Sequence, residues 1–234
     1  MTSAPPGALE SRVPAEGDVH DRAASAAASR RAAWELPVLA LVVVAGALYA
    51  FLQALGRVTP WIFPDELLYA EAQRALVGRG RFGVADEIGV DGILHTIVHA
   101  PLWLLGGVSD AFTGIKAVNS VLWACAAIPV FLLARRYVGA WAALAAAAAA
   151  ISIPAVVYTG TLMQEPVAYP LAATVVLLGV RLLERPTVRG AVGVAVATAA
   201  AAGVRSQLVA IGVAVLLAAL IDGALRLRRH AGPS

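Results

Sequence analysis

Asp65 and Glu66 stand side by side in "WIFPDELLYAEAQ", just after a long apolar run. A carboxylate placed there can take a proton as a general base, or can simply serve the start of a helix. Glu165 lies in "LMQEPVAYP" between two apolar runs, and Arg205 interrupts another run with Gln207 two residues on. A cation between apolar helices is costly unless paired or hydrated, so Arg205 is a functional candidate by default. Snorkelling to the membrane surface is its alternative. Lys116 is the only lysine among 18 basic residues, and from the start of its apolar run it could reach headgroups or a lipid phosphate. His95 and His99 have the i, i+4 spacing that puts two imidazoles on one helix face. Two histidines fall short of the three protein ligands of a catalytic zinc. A divalent metal completed by an outer carboxylate therefore stays open beside plain hydrogen bonding at an interface.

These residues need elements to position them. Pro64 suits the first turn of a helix, where no N–H partner is lost. Leu67, Leu68, Ala72, Leu76 and Val77 can form an apolar side, and Gly78 and Gly80 end the helix. The pattern predicts an amphipathic helix lying on a leaflet. Dipole pairing alone would account for Asp65 and Glu66, and first-turn capping alone for Glu165.

The chain has 234 residues, 60% hydrophobic and 14% charged. A soluble domain usually carries about 25% charged residues. The expectation is an all-α polytopic membrane protein of about six spans plus the interfacial helix. The predicted spans are 36–55, 112–133, 140–158 and 166–183, then two short helices within 190–220 that meet at Arg205. The piece "ILHTIVHAPLWLLGG" is short for a span and reads as partly inserted. Residues 1–33 read as a disordered tail, 34–222 as the membrane module, and 223–234 as a basic tail. With six spans the arginine clusters fall on one side, namely Arg30 and Arg31, Arg135 and Arg136, Arg181 to Arg189, and Arg226 to Arg229. The positive-inside rule makes that side, with both termini, cytoplasmic in a plasma membrane. Loop 56–111, with seven acids against four arginines, then faces outward with Glu165 and Arg205. Cys125 is the single cysteine, which excludes an internal disulfide. No phosphate-binding glycine loop, nucleophile elbow or basic, aromatic-laced nucleic-acid surface is present.

The order "PDELLYAEAQRALVGRG", "HAPLWLL", "IKAVNSVLWACAAIPVFLLARRYVG", "LMQEPVAYPL" and "GVRSQLVAIGVAVLL" resembles the N-terminal half of the GT-C membrane glycosyltransferases. It is most similar to the actinobacterial relatives of the protein mannosyltransferase and aminoarabinose transferase group. The resemblance implies transfer of a sugar from a polyprenyl-phosphate donor to a cell-envelope acceptor on the outer face. It makes Asp65, with Glu66 as neighbour, the catalytic carboxylate. Glu165 then shapes the site, and Arg205, with Gln207, contacts the donor phosphate. Lys116 and His99 are further substrate-binding candidates. Membrane lipid is an expected partner, nucleic acid is not, and a partner membrane chain would supply the helices that longer family members carry. A truncated or non-catalytic membrane scaffold is the alternative. A transporter with Glu165 and Arg205 along a substrate path is a weaker one, since no inverted repeat is visible.

Overall fold

Backbone amides in lipid must pair within their own segment, which leaves helices as the way across for a chain of this composition. The computed structural model describes residues 16–58, 63–80 and 92–230, and every regular element among them is a helix. Arg81, Asp86, Glu87 and Asp91 of the expected outer loop lie outside the described residues, as do residues 1–15.

Helix α1 runs over Glu16–Leu55, α2 over Pro64–Arg79 and α3 over Ile93–His99, which continues as a 3-10 turn, Ala100–Leu104. Then come α4 (Val108–Cys125), α5 (Ala127–Ala134) and α6 (Ala140–Ile151), with a second 3-10 turn at Pro154–Gly160. Helices α7 (Glu165–Glu184), α8 (Val188–Val204) and α9 (Val209–His230) complete the described residues, with the short turn Ser206–Leu208 before α9. The helix begins at Glu16, inside the segment whose composition predicts a disordered tail. Alanines dominate residues 23–28, and alanine has the highest helix propensity. Residues up to Val38 form a unit of their own, and Leu39 onward forms the second.

Among the described residues, four helices are long and apolar enough to cross a membrane: Ala33–Leu55, Val108–Ala134, Glu165–Glu184 and Ser206–Arg226. Helix α6 with its following turn would make a fifth, bent by 55°. Helix α8 has 17 residues, about 26 Å at 1.5 Å each, at the lower limit for a span. Arg205 stops it early. The segment Ile93–Leu104 is likewise a shorter apolar helix, as its length predicts.

Helix α7 packs against α4, α5, α8 and α9, and α5 packs on α6. Small residues allow the approach. A Cβ on Gly179 of α7 would meet Val215 of α9 at 2.7 Å. In α6, Ala143 and Ala147 are fully buried, which is why the alanine run packs closely. The break after α6 leaves carbonyls without helix partners. Trp123 donates to Ile151 O at 2.8 Å, and Tyr169 donates to Ala150 O at 3.1 Å. Their rings stack at 4.8 Å, tying α4, α6 and α7 together.

Candidate functional site

Helix α2 starts at Pro64 after Phe63, whose extended backbone makes it the N-cap. The two acids that follow face different ways, as adjacent helical residues must, about 100° apart. Asp65 is exposed, and among the described residues it accepts no hydrogen bond. Glu66 is wholly buried. Its Oε2 accepts from Phe63 N at 3.2 Å, closing the reciprocal half of a capping box. Its Oε1 accepts from Leu162 N at 2.8 Å, 96 residues away in sequence. Glu66 thus clamps the start of α2 to the segment just before α7.

The other end of that segment is held by charge. Glu165 opens α7, and its Oε1 lies 2.7 Å from Arg205 Nη1. Arg205 Nε donates to Gln207 Oε1 at 2.9 Å. The pair is half-buried: the Arg205 side chain keeps 38% of its surface exposed and Glu165 keeps 22%. Arg205 has extended backbone between α8 and α9, so its side chain leaves the helix axis at the break. The structure brings Glu165, Arg205 and Gln207 together, and the four residues from Leu162 to Glu165 connect them to Glu66.

Two other candidates take different places from those expected. Lys116 does not reach outward. It is buried, donates to Arg57 O at 2.6 Å, and lies 4.4 Å from the centre of the Phe112 ring. An ammonium on a carbonyl just past the C-terminus of α1 is a favourable arrangement in itself. His99 is also fully buried, with Nδ1 at 2.9 Å from His95 O and Nε2 at 2.8 Å from Asn119 Oδ1. Asn119 spends its Nδ2 on Thr161 O at 2.9 Å, so it is the acceptor toward His99. His99 couples α3 to α4 and, through Asn119, to residue 161.

The sequence did not reveal the polar layer around these histidines. His95 is fully buried, its ring 4.5 Å from His99 and edge-on to Tyr69 at 5.2 Å. Among the described residues, neither of its nitrogens has a hydrogen-bond partner of good geometry, and the Met163 backbone offers only a weak polar contact. Burial pushes the His95 imidazole well below its ordinary pKa, and His99 lowers it further. Burial also lowers His99, against an opposing pull from His95 O and Asn119. Gln73 is buried too and accepts from Trp103 Nε1 at 2.8 Å. Glu66, Ala70 and Gln73 form one buried stripe at helical spacing, while Leu67 and Leu68 are exposed. The stripe was the available signal. It was masked by the assumption that α2 buries its leucines. Among the described residues, no three of His, Cys, Asp and Glu gather into a group that could hold a metal ion.

Comparison with curated proteins and with solved structures finds no match. Residues 101–232 match the dolichyl-phosphate-mannose-protein mannosyltransferase family. The matched stretch begins after α2 and α3, so it contains Lys116, Glu165, Arg205 and Gln207 but neither Asp65 nor Glu66. It covers more than half of the 234 residues and includes the membrane-length helices Val108–Ala134, Glu165–Glu184 and Ser206–Arg226. The chain belongs to the dolichyl-phosphate-mannose-protein mannosyltransferase family.

Proposed function

We propose that this chain is a membrane glycosyltransferase that moves a sugar from a polyprenyl-phosphate donor to a cell-envelope acceptor at the outer face of the plasma membrane. Family membership supports the reaction class. The observation that carries the site is the double grip on Leu162–Glu165. Glu66 holds one end from α2, and Arg205 holds the other from the α8–α9 break. The Arg205 guanidinium and the helix turn that carries the exposed Asp65 are thereby both tied to one short segment.

The chemistry requires both. As the acceptor oxygen attacks the anomeric carbon, a base must take its proton, and Asp65 is the exposed carboxylate for that. The bond from that carbon to the phosphate oxygen breaks, and its electron pair stays on the lipid phosphate. That leaving group is already anionic, so it needs a cation rather than an acid. Arg205 supplies the cation, with Glu165 and Gln207 fixing its orientation through two of its N–H groups. Glu66 positions the helix start that carries Asp65.

The test uses the full chain in nanodiscs, supplied with polyprenyl-phosphate sugars, with released polyprenyl phosphate as the readout. Asp65→Asn should lower turnover about a hundredfold or more, the scale of general-base loss. Full turnover in that variant would remove Asp65 from the role. A wild type inactive with every donor tried would favour the scaffold reading instead.

A further inference from the structure

Arg57 follows the last turn of α1. Among the described residues no carboxylate pairs with it, and its Nη1 is buried without a hydrogen bond. Its side chain crosses Gly160 closely: a Cβ there would meet Arg57 Cδ at 2.7 Å and Nε at 3.3 Å. Only glycine leaves room for the arginine to turn inward over the Pro154–Gly160 turn. Beside it lies a cavity of about 110 Å³ lined by Gln53, Ala54, Arg57, Val156, Val157 and Thr159. Lys116 Nζ, 2.6 Å from Arg57 O, brings a second positive charge to the same helix end.

A buried unpaired N–H and an unbalanced cation both cost stability in a folded chain. Water in the cavity would satisfy the first but not the second. The volume is well above the roughly 10–15 Å³ that one water needs, and it leaves room for one small polyatomic anion. Of the polar wall groups, Thr159 is committed, donating to Val156 O at 2.8 Å. Arg57 and Gln53, both on the cavity wall, remain as donors. A guanidinium beside an amide suits tetrahedral oxyanions, because the planar fork can give two parallel N–H bonds to two phosphate oxygens.

We propose that this cavity between the end of α1 and the Pro154–Gly160 turn is a binding site for a phosphate-class anion, built on Arg57 and Gln53 and supported by Lys116. The site is separate from the Glu165–Arg205 pair, and the proposal does not depend on catalysis. The anion is either the headgroup of a membrane lipid or free phosphate, and the experiment distinguishes the two.

Native mass spectrometry of the full chain in detergent would follow titrations with phosphatidic acid, with inorganic phosphate, and with zwitterionic phosphatidylcholine as control. Wild type should retain a phosphate-bearing ligand at least about tenfold more tightly than Arg57→Gln, the effect of losing one charge-assisted contact. Val157→Glu places a carboxylate on the half-exposed wall with Arg57 intact, and should cause a similar loss. It also carries the test if Arg57→Gln does not fold. Retention of phosphatidic acid without inorganic phosphate would identify a lipid headgroup site, and retention of both would identify a general phosphate site. Binding of neither anion to wild type, or equal binding in wild type and both variants, would overturn the proposal.

Discussion

Between α2 and α3 the fully buried side chains include Glu66, Gln73, His95 and His99; between α5, α6 and α7 they include Ala127, Ala143, Ala147 and Val175. The first region is held by particular polar partners, several of them distant in sequence. The second is held by how closely small side chains let helices approach. Lipid gives helices little hydrophobic reason to associate, so the bundle depends on packing and on a few interhelical hydrogen bonds. A buried polar layer behaves differently. Each missing partner there leaves a desolvated group, so the layer fixes one arrangement and tolerates little change. The contrast explains why the α2 acids can be placed accurately although α2 itself does not span the membrane.

The sharpest way to break the bundle is to add volume where helices touch. Gly179→Val forces a Cβ against the stiff side chain of Val215 and should cost about 3 kcal/mol, toward the upper end of the usual overpacking range. Thermal unfolding in detergent measures it. Gly78→Ala, where nothing lies within 4 Å, is the matched control and should not lower stability. Equal effects at the two glycines would mean that close helix approach does not hold the bundle together.

The polar layer breaks by loss of an acceptor rather than by volume. Glu66→Gln keeps the shape, but its amide can accept from only one of Phe63 N and Leu162 N, and its NH₂ faces the other. One buried donor is left unpaired, at a cost of about 2 kcal/mol. Asp65→Asn, on the exposed side of the same turn, should stay within about 0.5 kcal/mol of wild type. The two variants together separate positioning from chemistry: one should lose stability, the other turnover. If Glu66→Gln were as stable as wild type, the grip on Leu162 would be dispensable.

Some of this was readable from residues alone. Arg205 and Glu165 were, because a cation between apolar helices needs a partner and few acids were available. The short segment Ile93–Leu104 was legible from its length. Lys116 and His99 were not. Their partners lie 59 and 20 residues away, and no local pattern indicates that a side chain turns inward to a backbone carbonyl or a distant amide. The separation of Asp65 from Glu66 was legible only as a difference in direction. Which of the two faces inward depends on where Leu162 arrives, and that is set by the packing of α2 on the rest of the chain.

The histidine pair gives the finest probe of the polar layer, through pH. Both imidazoles have folded pKa values below the ordinary 6.5, mainly because burial disfavours the charged ring. Above pH 6.5 folded and unfolded chains both hold neutral rings, and these groups add no pH dependence. Below it, the unfolded chain takes up protons that the folded chain refuses, so stability falls with acidification. The slope is at most about 1.4 kcal/mol per pH unit for each ring. The two rings should not contribute equally. His99 faces an acceptor at each nitrogen, His95 O and Asn119 Oδ1, and an imidazolium could donate to both. His95 has no such partners, so its resistance to charging persists to lower pH. His95→Phe removes the two unpartnered nitrogens while keeping an aromatic ring beside Tyr69. It should therefore flatten most of the decline between pH 6.5 and 5.5, a window above the range where ordinary carboxylates titrate. His99→Phe should flatten less and should lower stability at pH 8 as well, because it strands Asn119 Oδ1. Stability that is level from pH 7.5 to 5.5 in wild type, or a decline unchanged by His95→Phe, would show that His95 is not the group that holds this layer in its neutral form.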